Sequence, residues 1–161
     1  MKIMSINAGS SSLKFSLFDM DNDQVIITGL FERIGIEGSC YKIKYGEYKI
    51  EQEVVMTNHS DAVKILMEKL VELGAVKNLE EIDGIGHRVV QGTEKFDKPV
   101  LITDEVIKEI EECGELAPLH NPAAILGINA CKKIAPNMPM VAVFDTAFHQ
   151  TIPEERYIYP I

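Results

Sequence analysis

Apolar and polar residues alternate through most of the first sixty positions, and a period of two predicts β-structure there. Met1 to Ile6 and Phe15 to Phe18 read as two strands. The polar octapeptide between them, Asn7-Ala8-Gly9-Ser10-Ser11-Ser12-Leu13-Lys14, reads as a turn. Asp21-Asn22-Asp23 is a turn cluster, Gln24 to Ile34 is strand-like, and Tyr41 to Tyr45 and Tyr48 to Val55 flank Gly46-Glu47 as a second hairpin. From Ser60 the period lengthens to about 3.6. Val63, Leu66, Leu70 and Leu73 then share one helical face, with Ser60 as N-cap and Gly74 as the residue after the end.

Beyond Gly74 the two periods alternate. Ile82 to Val90 is a strand ending at Gln91-Gly92-Thr93, and Pro99 to Ile102 is a short apolar run. Thr103 caps a helix with Asp104 and Glu105 in its first turn, Val106, Ile107 and Ile110 on the buried side, and Gly114 after its end. A third helix starts at Asn121 with Pro122 in first position, runs through Ile125 and Ile128 to Lys132 and Lys133, and stops before Pro136. Met140 to Phe144 is a fully apolar strand that delivers Asp145. Strands first, then helices alternating with strands, predict an α/β domain with a mixed sheet.

Length and composition narrow the field. At 161 residues and 46% apolar content, the chain is one domain able to bury a real core. Its longest apolar stretches fall far short of the ~20 residues a bilayer requires. No signal-peptide cleavage pattern opens it, so a cytoplasmic location and no membrane partner are expected. A net charge of −9 argues against a nucleic-acid partner, which calls for a basic face. Any phosphate site must therefore be local, built from Lys14, Arg88 and backbone dipoles. Cys40, Cys113 and Cys131 are odd in number, without a Cys-x-x-Cys pair, and read as reduced, half-buried thiols. The last residues, 156–161, are apolar and aromatic with no stop signal, the pattern of a chain that would continue.

Four segments carry chemistry. The octapeptide packs backbone N–H groups, three hydroxyls, an amide and an ammonium together, as a multiply charged phosphate requires. A plain hairpin turn would use the same residues for conformational reasons. It is not a Walker A loop, because the chain goes on as a strand and not as a helix. In Gly86-His87-Arg88-Val89-Val90-Gln91-Gly92, Arg88 is either an anion clamp or a surface ion pair. Asp145 lies at a strand's C-terminal end, where open α/β sheets put ligand-binding groups, or else it caps the next turn. His120 precedes a helix N-terminus, a position more often structural than catalytic.

In this order, Asn-x-Gly-Ser-Ser-Ser-x-Lys, Gly-His-Arg-Val-Val, Ala-Pro-Leu-His-Asn-Pro and Val-Phe-Asp-Thr-Ala-Phe-His-Gln-Thr closely resemble the acetate kinase family, over the whole chain. The resemblance implies a ribonuclease-H-like domain of the actin and sugar-kinase superfamily, its mixed sheet flanked by helices. It further implies that residues 1–161 are the N-terminal domain of a two-domain protein. The second domain would bring the adenosine-binding glycine motif, a transition-state His and Arg, and a magnesium-ligating glutamate.

The implied reaction is reversible, ATP-dependent phosphorylation of acetate to acetyl phosphate with Mg2+ or Mn2+, in a homodimer. Carried over by motif position, Asn7 would help hold the metal, Lys14 would contact ATP phosphates, and Gly9, Ser10 and Ser12 would form the same loop. Arg88 would bind the carboxylate or the phosphoryl group in flight. Asp145 is the family's catalytic carboxylate, and His120 would sit near the transferred phosphoryl. Val90 and Leu119 match positions lining the pocket for the acetate methyl. One departure stands out, because Gln91-Gly92-Thr93 replaces the usual His-Gly-Gly and bears on loop geometry and acid preference. Propionate and butyrate kinases share parts of the pattern. The readings from other classes are a noncatalytic phosphate- or partner-binding module and a hydroxyl-directed sugar kinase, which would need a larger pocket and a true base.

Overall fold

A computed structural model describes residues 1–90, 92, 96, 98–114 and 121–145. Five antiparallel strands come first: β1 (Lys2–Ala8), β2 (Leu13–Asp19), β3 (Gln24–Glu32), β4 (Cys40–Tyr45) and β5 (Tyr48–Glu53). Helix α1 (His59–Glu72) and a 3-10 turn at Leu79–Glu81 lead to β6 (Gly84–Val89). The short β7 (Val100–Leu101), α2 (Asp104–Cys113), α3 (Asn121–Ile134) and β8 (Met140–Phe144) complete the described elements. The strands form one mixed sheet in the order β5-β4-β3-β2-β1-β6-β8-β7. β6 pairs parallel with both β1 and β8, and every other pairing is antiparallel.

Alternation decides which face of the sheet is covered. Met4 and Ile6, Leu13, Phe15 and Leu17, Ile85, His87 and Val89, and Met140, Ala142 and Phe144 all point to one side and are buried. Against them lie Ala62, Val63, Leu66 and Leu70 of α1, in one continuous core. Ile107, Ile110, Ala124, Ile125 and Ile128 of α2 and α3 cover Val89, Ala142 and Phe144. Helix α3 packs on β1 and β6, and the reason it can is small side chains: a Cβ on Gly127 would stand 2.9 Å from the Ala8 Cβ. All three described helices therefore lie on a single face, and the opposite face of the sheet carries none of them.

Several local expectations shift by a residue or two. The cap of α1 is Asn58, whose side chain accepts the Asp61 N–H at 3.0 Å, so the helix starts before Ser60. Gly74 does follow its end with φ +80°, as a left-handed residue there should. The strand expected from Ile82 starts at Gly84, because Leu79–Glu81 takes a 3-10 turn capped by Asn78. Thr103 caps α2 as expected, accepting from the Val106 N–H. Of the three thiols only Cys40 is half-buried; Cys113 and Cys131 are in the core, and burial pushes Cys131 up to about 12.

Candidate functional site

The uncovered face of the sheet gathers the polar residues that alternate with the core. In the register, Asn7 faces Lys14 across β1 and β2, Ser5 faces Ser16, and Ile6 faces His87, which sets Arg88 beside Asn7 on β6. Ser5, Asn7, Lys14, Ser16, Arg88 and Val143 line one shallow groove of about 350 Å³. Residues distant in sequence become one surface through strand order alone.

The turn between β1 and β2 caps this groove. The Gly9 N–H donates to the Ser12 carbonyl at 2.9 Å, and the Ile34 N–H donates to the Ser11 carbonyl at 2.8 Å. His59, the first residue of α1 and buried, donates from Nε2 to the Gly9 carbonyl at 2.8 Å. A carbonyl only accepts, so Nε2 must carry the proton. Three carbonyls of the turn are thus turned inward and occupied. The N–H groups of Ser10, Ser11 and Ser12 meet no protein acceptor among the described residues. Such a turn offers donors, which is what an anion nest requires.

Arg88 and Asp145 meet at the same carboxyl edge of the sheet as the turn, on the β6 and β8 side. The guanidinium donates from Nε to both carboxylate oxygens at 3.1 Å and from Nη2 to Oδ2 at 2.7 Å, a fork that fixes its plane. Asp145 beside it raises the Arg88 pKa further, keeping the charge permanent. Arg88 and Asp145 are partly exposed, so the pair contributes at most about 1 kcal/mol to stability. Its value lies in orientation. Asp145 is itself held by what precedes it: Phe144 stacks on Phe96 with centroids 4.4 Å apart and planes 3° off parallel, and a Cβ on Gly92 would strike its ring.

Electrostatics around the turn go beyond the two cations expected. Lys14 also borders a second hollow of about 430 Å³, whose rim carries Lys42, Lys44 and Lys49 with Glu51. These lysines make a local positive field in a chain of net charge −9. The lysines of β4 alternate with Tyr41 and Ile43, a visible signal of an outward face. Nothing in the sequence said that this face adjoins Lys14. His87, read only as a neighbour of Arg88, points the opposite way into the core, and burial lowers its pKa to about 4.

Of the expected site residues, Asn7, Lys14 and Arg88 share the groove, Arg88 grips Asp145, and Gly9, Ser10 and Ser12 form the turn above. Val90 is half-buried just beyond β6 and is not among the groove's lining residues. His120 and Leu119, like Gln91 and Thr93, lie outside the described residues. Among the described residues no three His, Cys, Asp or Glu side chains form a metal cluster, and no helix is long and apolar enough to cross a membrane.

Residues 2–161 match the model of the acetokinase family. The chain is 58% identical over 160 residues to an acetate kinase of Bacillus subtilis, covering 99% of this chain and 40% of that protein. The crystal structure of Porphyromonas gingivalis acetate kinase superposes with a TM-score of 0.90 at 44% identity, over 99% of this chain and 41% of that one. A propionate kinase from Francisella tularensis superposes at 0.87 and 45% identity, over 96% of this chain and 39% of that one. The chain thus spans about 40% of the length of the curated relatives it matches.

Proposed function

Because this chain belongs to the acetokinase family, we propose that it is the N-terminal domain of a two-domain short-chain carboxylate kinase. The whole protein would catalyse reversible, ATP-dependent phosphorylation of acetate to acetyl phosphate, in the cytoplasm and as a homodimer. The observation that carries this reading is the placement of Asn7, Lys14 and Arg88 on the open face of three neighbouring strands. The donor-rich Gly9–Ser12 turn and Asp145 stand at the same carboxyl edge of these strands, with Arg88 gripping Asp145.

The chemistry asks little of a base. A carboxylate oxygen attacks the γ-phosphorus of ATP, the bond from that phosphorus to the β-bridging oxygen breaks, and ADP leaves. No proton is lost, since a carboxylic acid with pKa about 4 to 5 is already ionised at neutral pH. Catalysis of such a transfer is mainly positioning and stabilisation of charge on the three equatorial oxygens. The Ser10, Ser11 and Ser12 amides with Lys14 would hold the nucleotide phosphates. Arg88, its plane fixed by Asp145, would present its remaining N–H groups to the carboxylate and to the phosphoryl group in flight. Asp145 then acts as a positioning carboxylate. His120 near the phosphoryl and Val90 and Leu119 around the acid's methyl complete the proposed site.

Mg2+ suits these residues. The Asn7 amide oxygen is a hard donor in the groove, and Mg2+ takes one or two protein oxygens with the rest from phosphates and water. Bound there it would neutralise charge on the phosphates. The likeness to a propionate kinase favours propionate as a second acid, with Gln91-Gly92-Thr93 as the place where preference would differ.

The test is acyl-phosphate formation trapped as the hydroxamate, assayed with acetate and with propionate. The complete gene product should be active and residues 1–161 alone inactive, because one domain closes no cleft. Full activity from the 161-residue chain would overturn the two-domain reading, and none from the complete product would overturn the kinase reading.

A further inference from the structure

Gly9 and Ser12 follow directly in the β1–β2 register, where Ala8 faces Leu13, and residues facing each other at such a hydrogen-bonded step normally exchange two bonds. Only one is made, from the Gly9 N–H to the Ser12 carbonyl. The loop between them is two residues, Ser10 and Ser11. Tight two-residue hairpins use left-handed backbone, yet Asp23 and Arg33 are the non-glycine residues with positive φ among those described. The turn is therefore open, and the bond it lacks is the one from the Ser12 N–H to the Gly9 carbonyl. That carbonyl is taken by His59 Nε2 at 2.8 Å, from a side chain only 5% exposed.

We infer that His59 is a positioning residue of the phosphate turn: by occupying the Gly9 carbonyl it holds the hairpin open and leaves the Ser12 N–H free to donate to a nucleotide phosphate. The inference rests on the proposed reading of the groove for its ligand, and on geometry alone for its mechanism. Without His59, the part-buried Gly9 carbonyl loses its donor, and the Ser12 N–H facing it across the two-residue loop is its regular hairpin partner. The turn would then close on itself and lose a phosphate donor. A residue serving stability alone would have the opposite signature, since its loss loosens the loop.

Three variants separate these outcomes. In His59→Leu, hydrogen exchange at the Ser12 amide of the ligand-free 161-residue chain should slow several-fold. In the complete gene product the KM for ATP should rise about tenfold, the scale of one lost hydrogen bond to a charged ligand, with the acetate KM within about twofold. His59→Gln, whose Nε2 can donate from the same reach, should restore both readouts, whereas His59→Asn is too short and should behave like Leu. If the Leu variant does not fold, the Gln and Asn pair carries the comparison. Unchanged or faster Ser12 exchange in the Leu or Asn variant overturns the inference, as does a Gln variant as impaired as Asn. Absence of kinase activity in the wild type would count against the proposed function, and the exchange comparison would still decide the role of His59.

Discussion

Acidification should destabilise this domain through one buried imidazole. His87 lies in a cross-strand row between Ile6 and Ala142, 1% exposed, and its Nε2 has no hydrogen-bond partner among the described residues. Burial lowers its pKa from 6.5 to about 4, so the folded protein holds it neutral while the unfolded chain protonates near 6.5. The unfolded state binds more protons between these values, so stability is full above about pH 6.5 and falls as pH drops towards 4. The drop from 6.5 to about 4 corresponds to ~3 kcal/mol, and about 2 kcal/mol of it should be gone by about pH 5. Urea titrations of wild type and His87→Leu across this range test it, because Leu keeps the volume and cannot charge. The stability difference between the two should grow in favour of Leu by about 2 kcal/mol from about pH 7 to about pH 5. At neutral pH, Leu should already be the more stable by about 1 kcal/mol, since it removes an unsatisfied buried group. Parallel pH profiles would refute the argument, and a Leu variant less stable at every pH would mean that Nε2 has a partner.

Asp145→Asn keeps the shape of the carboxylate but loses the charge that orients Arg88, and should lower kcat of the complete enzyme by about 10²-fold or more; near-wild-type turnover would remove Asp145 from the site. Gly127→Val should cost about 1–3 kcal/mol in chemical denaturation, because even a Cβ there stands 2.9 Å from the Ala8 Cβ and forces α3 off β1. Alkylation at neutral pH should label Cys40 first and leave Cys131 untouched until the protein unfolds, since burial both hides that thiol and holds it protonated.

How much of this could be read in advance depended on the range of the interaction. The β1–β2 and β4–β5 hairpins, the Thr103 cap and the Gly74 helix stop were legible, because each follows from residues within a few positions of one another. Strand order was not. That β6 and β8 lie parallel beside β1 depends on packing against α1 and α3, and two apolar runs do not reveal which neighbour each will take. Asn7, Lys14, Arg88 and Asp145 were legible by motif, but their convergence on one face needed the register. His59 escaped notice because Ser60 looked like the helix cap, and no local pattern ties residue 59 to a carbonyl fifty positions earlier. Burial of His87 did have a signal, its alternation in step with Ile85 and Val89, although its neighbour Arg88 drew the functional reading.

Those two histidines and Arg88 make one physical argument about how the sheet serves both its faces. A strand that presents a permanent cation to the open side must put the residues on either side of it into the core, so a charge on His87 would stand in low dielectric one residue from Arg88. Desolvation keeps the imidazole neutral, which leaves Arg88 as the charged group of that strand and Asp145 as its counterion. His59 solves the equivalent problem from the helix side, spending its N–H on a carbonyl that would otherwise capture an amide of the turn. In both places a side chain on the covered face settles what the open face can offer an anion. Variants at His59 and His87 therefore test the site from behind, with Asn7, Lys14, Arg88 and Asp145 left in place.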